Sequence, residues 1–207
     1  MNILVHDDPP AVGRLVRAAL AGRSHRASIA ASADEARRKL DTGLFDALVI
    51  GAGGASREIA ELLESEWPDL PLVLAGVERD VPCGGPIVAV LTRPIRLDAL
   101  RAAVRALEAR FPAKESTIEA VLVAAGVPIP GRVVARGRAS LLFEASAGTA
   151  LVVSPRVTVR RAGTDVDAEL VFTDAAPKGG TRFVAVHVDD AAAFDRFVSY
   201  QTGGVAC

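Results

Sequence analysis

Two adjacent carboxylates, Asp7 and Asp8, follow the short apolar run ILVH at 3–6. Oxygen donors paired at the end of a strand suit a hard cation such as Mg²⁺. The same side chains at the start of a helix would instead cap its unsatisfied N–H groups, near its positive end. A second stretch, FDALVIGAGG at 45–54, reads as a buried strand that runs up to Gly51. A third, from Gly131 to Arg161, holds Arg132, Arg136, Arg138, Arg156, Arg160 and Arg161 against one acid, Glu144. Guanidinium groups hold phosphate through paired hydrogen bonds. A solvated strand face in an Arg-rich chain is the plainer reading of the same residues. The histidines (His6, His25, His187) and cysteines (Cys83, Cys207) are too scattered for a zinc site. No nucleophile has a base beside it, so no catalytic residue is assigned and no enzyme activity is expected.

The chain has 207 residues, enough for one large domain or two small ones. Its net charge of −1 gives no global pull toward nucleic acid or an anionic membrane. Only Lys39, Lys114 and Lys178 among the 24 basic residues are lysine, a bias given little functional weight. MNILVHDD turns acidic after three apolar residues, unlike a signal peptide. No run reaches the roughly 18 apolar residues of a membrane span. Two cysteines, one in a Gly/Pro stretch and one at residue 207, fit a reducing compartment, and the cytoplasm is expected.

The elements that must position these residues follow two grammars. Over 1–111, short apolar runs alternate with amphipathic helices. The strands are expected at ILVH (3–6), ASIAAS (27–32), ALVIG (47–51), PLVLAG (71–76) and IVAVLT (87–92). Val12, Leu15, Val16, Ala19 and Leu20 have helical spacing. Ser32 and Glu35 form a capping box, and that helix runs toward Gly43. Ser56 caps a helix with Ile59, Leu62 and Leu63, and Asp98 opens one through Phe111. This alternation implies a doubly wound α/β fold with a five-stranded parallel sheet. Residues 112–130 read as a linker and a short helix, with Ser116 and Glu119 as its capping box and Gly126 as its end. Residues 131–207 read as a small antiparallel sheet or barrel: RASLLFE, GTALVVS, RVTVRR, DVDAELVF and RFVAVHV, closed by the helix DDAAAFDRFVSYQ. Leu97, Leu100, Val104, Leu107 and Phe111 make a 3-4-3-4 stripe. It either covers the sheet or forms a homodimer seam.

ILVHDDPPAVGRLV, FDALVIG and LTRPI, in this order and spacing, resemble the first strand and helix, the third strand, and the fifth strand of a response-regulator receiver domain. The resemblance covers residues 1–111 and implies the flavodoxin-like receiver fold. In that family the third strand ends in the Asp that accepts a phosphoryl group, and here the position is Gly51. The family's Ser/Thr falls on Gly76. Its Lys falls on Arg93, followed by Pro94, and a cis peptide is implied between them. Only Asp7 and Asp8 keep the family's character, with Mg²⁺ as the ion they would hold. The connection VERDVPCGGP (77–86) has no room for the usual helix between the fourth and fifth strands. The resemblance therefore points to a degenerate receiver that cannot be phosphorylated by the usual route.

RVVAR (132–136) and EASAGTALVV (144–153) resemble motifs of PilZ domains, small barrels that bind cyclic di-GMP. Glu144 and Thr149 depart from that pattern. Carried over, the ligand-binding roles fall on Arg132 and Arg136, with Ser146 and Gly148 opposite. The expected protein is a non-enzymatic bacterial signalling protein that needs no cofactor. Its expected partner is a signalling protein met without phosphorylation, with cyclic di-GMP as the alternative ligand. Neither nucleic acid nor a membrane is expected as a partner.

Overall fold

In the computed structural model, the described residues are 1–7, 11–20, 25–51, 63, 65–78, 86–110, 117–137, 139–146, 154–175 and 182–199. The chain divides into two compact units. The first comprises Met1–Asp41 and Phe45–Lys114, the second Thr42–Leu44 and Glu115–Cys207.

The first unit is built on five strands: β1 (Asn2–His6), β2 (Arg26–Ala30), β3 (Ala47–Gly51), β4 (Leu72–Val77) and β5 (Ile87–Thr92). All pairings are parallel, in the order β2-β1-β3-β4-β5. β1 and β3 are buried along their whole length, as continuous apolar runs with layers on both faces must be. Helices α1 (Ala11–Leu20) and α3 (Leu97–Arg110) cover one face through Val12, Val16, Leu100, Val104 and Leu107. Helix α2 (Ala33–Leu40) covers the other through Ala36 and Leu40. The capping box is formed. Ser32 Oγ accepts from Glu35 N at 3.2 Å, and Glu35 Oε2 accepts from Ala31 N at 2.9 Å. Leu97, Leu100, Val104 and Leu107 of the 3-4-3-4 stripe pack on the sheet, and Phe111 lies outside the described residues. Leu100, Val104 and Leu107 are all at most 2% exposed, which leaves them unavailable as a dimer seam. The helix expected after Ser56 falls mostly outside the described residues. Leu63 is buried under the α2 face. Residues 79–85 of the β4–β5 connection also lie outside.

The second unit is a closed antiparallel barrel in the order β10-β11-β8-β7-β6-β9. Its strands are β6 (Ile118–Ala124), β7 (Val127–Arg136), β8 (Ser140–Ala145), β9 (Arg156–Arg161), β10 (Thr164–Ala175) and β11 (Arg182–Val188). The short helix expected to end at Gly126 is instead strand β6. Ile118, Ala120, Leu122 and Ala124 alternate into the barrel core, and this period of two overrides the Ala-rich composition. Ala125 and Gly126 then turn the chain with φ of 50° and 80°, the left-handed pair that a two-residue hairpin requires. Pro128 and Pro130 are tolerated in β7 because pairing with β8 begins only at Gly131. The strand expected at GTALVVS lies almost wholly outside the described residues. Helix α4 (Ala191–Ser199) packs Phe194 and Phe197 into the barrel core. Asp190 Oδ1 caps it by accepting from Ala192 N and Ala193 N. No helix among the described residues is long and apolar enough to cross a membrane.

Candidate functional site

The crevice at the carboxyl ends of β1 and β3 is where a ligand would enter a sheet of this order, because the connections diverge there. β1 and β3 run in register up to His6 and Ile50, so Asp7 and Gly51 follow as neighbours. Asp7 is 5% exposed. Its Oδ2 accepts a hydrogen bond from Gly13 N at 2.9 Å, in the first turn of α1. One of the helix's otherwise unpaired amides is thereby satisfied, and the carboxylate sits at its positive end. A Cβ built on Gly51 would collide with Asp7 Oδ1 and lie 3.4 Å from Val12 Cγ2. The Asp7 carboxylate therefore occupies the volume into which a side chain at 51 would project. Of the two readings of the acidic pair, the cap is realised by Asp7. Asp8 lies outside the described residues. Among those described, no group of three or more His, Cys, Asp or Glu is placed to hold a metal ion. Gly13 was not singled out in the sequence. It too sits tightly, since a Cβ there would come within 2.7 Å of Ile29 Cδ1.

Gly76, Arg93 and Pro94 are the other positions singled out near this crevice. Gly76 has φ of 80° and lies where the β4–β5 register shifts, between Ala75 and Val77. A backbone in that region penalises every L side chain and most of all a β-branched one. The Arg93–Pro94 bond is cis, as the resemblance implied. Both residues are exposed, and Arg93 N donates to Val77 O at 3.3 Å.

In the barrel, Arg132, Arg136 and Ser146 are the described residues among the four singled out for a cyclic dinucleotide. Arg132 faces outward beside Glu144 and Glu119, its partners on β8 and β6. Its Nε donates to Glu144 Oε2 at 2.5 Å. That hydrogen bond, then the charge of Glu144 and, more weakly, that of Glu119 hold the guanidinium above its ordinary pKa. Two carboxylates flanking one guanidinium oppose a phosphate there. The register of β7 on β8 shifts between Val133 and Ala135, and Arg136 then stands opposite Leu141. Leu141 belongs to the barrel core, whereas Glu144 faces out. Arg136 is nevertheless exposed, at the end of β7, so the shift interrupts its regular alternation with Arg132 without placing it among the core residues. Ser146 is exposed, and its N donates to Pro130 O, six residues from Arg136. At about 3.3 Å per residue that is on the order of 20 Å. Gly148 and Arg138 lie outside the described residues.

The basic run seen in the sequence is also dispersed by pairing. Arg160 binds Asp165 at 2.7 Å, Thr158 donates to Asp167 at 2.8 Å, and Arg156 stands opposite Glu169. Arg161 Nη1 donates to Phe197 O at 2.8 Å and its guanidinium lies over the Phe197 ring. The antiparallel register interleaves the arginines of β9 with the acids of β10.

No family model matches the chain, and no curated protein matches it. Among solved structures, the chain is similar to a protein described as a response regulator from Chloroflexus aurantiacus. The identity is 21%, the TM-score 0.45, and the match covers 53% of this chain and 98% of that one. The receiver domain of an HD domain-containing protein from Pseudomonas fluorescens matches at 19% identity and TM-score 0.45, over 54% and 98% of the two chains. An NAD kinase from Archaeoglobus fulgidus matches over 99% and 100%, at 12% identity and TM-score 0.36. The parallel order β2-β1-β3-β4-β5, rather than these scores, gives the first unit its receiver-like fold.

Proposed function

We propose that this chain is a non-enzymatic signalling protein whose receiver-like unit meets a partner protein independently of phosphorylation. One observation carries the reading: the carboxylate of Asp7, fixed on Gly13 N, fills the space in front of Gly51. That position carries no side chain, and a Cβ there would require the Asp7 carboxylate to move. Gly76, held at positive φ, supplies no hydroxyl to follow a phosphoryl group. What remains is a parallel sheet with helices on both faces, which suits docking rather than switching. Cyclic di-GMP binding has less support. Arg132 is engaged by Glu144, and a register shift in β7 lies between it and Arg136.

Incubation with acetyl phosphate and Mg²⁺, followed by intact mass measurement, tests the reading. No mass increase is expected. An acid-labile phosphoryl adduct on the first unit would overturn it.

A further inference from the structure

We infer that the outer surface of α1 and α3 is a docking face for an acidic protein partner, whose carboxylates engage Arg14, Arg17, Arg101, Arg105 and Arg110. The inference rests on the docking role proposed above and names the partner's chemistry. Both helices cover the same face of the sheet and pack side by side. Arg14, Arg101, Arg105 and Arg110 are exposed and Arg17 is partly so. None of them takes part in an ion pair among the described residues. Helix α1 carries no acid. The two acids of α3 are engaged elsewhere, Asp98 by Arg96 at 3.1 Å and Glu108 by His25 at 2.6 Å. Apart from Asp98, every other exposed position on the two helices is alanine. Among the described residues of the two helices, the guanidinium groups are thus the long side chains in fully exposed positions, and no ion pair described there neutralises them.

Arginine is suited to such a face because its planar fork binds carboxylates in two-point geometry. Arg101 and Arg105 are one helical turn apart, so their side chains lie as neighbours on one flank. Arg110 stands about 13 Å further along the axis from Arg101. This spacing suits discrete carboxylates on a folded or helical partner. A nucleic acid is less suited. The whole chain's charge of −1 supplies no long-range attraction to a polyanion.

The test is a fluorescence anisotropy titration of the full chain against a labelled helical peptide of Glu-Ala-Ala-Glu repeats. Parallel titrations use a short DNA duplex and vesicles of phosphatidylglycerol in phosphatidylcholine. Peptide binding that weakens with added salt is expected. It should fall about tenfold or more in Arg101→Glu/Arg105→Glu, where two attractive pairs become repulsive. A smaller loss is expected in Arg101→Gln/Arg105→Gln, which keeps the fold safer. The control Arg136→Glu/Arg156→Glu on the barrel should bind as the unaltered protein does. Absence of peptide binding, an equal loss in the control, or tighter binding to the duplex or the vesicles would each overturn the inference. The titration is repeated after acetyl phosphate treatment. A change there that leaves the arginine dependence intact would count against phosphorylation independence and not against the docking face.

Discussion

The carboxylate of Asp7 stands where a side chain on Gly51 would have to go. The two residues come together because β1 and β3 are parallel neighbours in register to their last pair, His6 and Ile50. Asp7 is then held in place from the helix side by Gly13 N. The site is therefore closed by a group that belongs to it, and the size of residue 51 becomes a stability determinant.

Gly51→Ala should destabilise the first unit by about 1–3 kcal/mol, the usual cost of overpacking a filled interior. Urea unfolding of the full chain, followed by fluorescence of Trp67 in that unit, reads the change. Asp7→Ala alone should cost about 1–2 kcal/mol through the lost bond to Gly13 N. In the double variant the costs should not add, because removing the carboxylate makes room for the methyl group. Additive costs would mean that Asp7 and Gly51 do not compete for the same space.

Gly76→Thr should also destabilise, by about 1–3 kcal/mol, because a β-branched residue is poorly accommodated at φ of 80°. A thermal melt compared with Gly76→Ala and Gly76→Asn checks it. Asn tolerates the left-handed region best and should lose least. A Thr variant as stable as the parent would show that the bulge between Ala75 and Val77 relaxes freely.

Glu35 gives a pH dependence with a defined sign. Burial pushes its carboxyl up, but the Ala31 amide and Lys39 together outweigh this, and the group titrates below its ordinary value of 4.5. A carboxyl depressed in the folded state contributes stability that is present above the unfolded value and lost as pH falls through the folded one. The stability gap between the parent and Glu35→Gln should be full above about pH 4.5 and shrink at lower pH. Urea midpoints near neutral and near pH 3 measure it. A gap that stays constant, or widens in acid, would contradict the assignment.

Arg132 offers a fourth test. Calorimetry with cyclic di-GMP is expected to give no binding heat from the folded protein. Glu144→Ala removes the carboxylate that engages Arg132 and should leave the barrel folded, since Glu144 faces outward. Binding by the parent that is lost on Arg132→Ala and on Arg136→Ala alike would show that the two arginines do converge on a ligand.

The central strands of the first unit were legible because a buried parallel strand is a continuous apolar run bounded by turn residues. The capping box of α2 was legible because it is a local pattern. Strand β6 was not. STIEAVLVAAG carries helix formers and the capping-box pair Ser116 and Glu119, and its alternation of Ile118, Ala120, Leu122 and Ala124 was the weaker of two local signals until a barrel gave it partners. Pro128 and Pro130, just beyond the turn, were the hint that the segment belongs to a hairpin. The placement of Asp7 was beyond any local pattern, since it depends on which strand lies beside β1. The register shift between Arg132 and Arg136 was hidden for the same reason, since it lies opposite Phe143 and Leu142 on the neighbouring strand.

The most direct measurement is the amide spectrum of the isotope-labelled full chain before and after beryllofluoride with Mg²⁺, followed at residues 7, 13, 51, 76 and 93. If the Asp7 carboxylate permanently fills the acceptor's place, these resonances should stay where they are, and Gly51→Asp alone should not make them respond. Saturable shifts at these residues in the unaltered protein would show an open, switch-competent pocket and contradict the account.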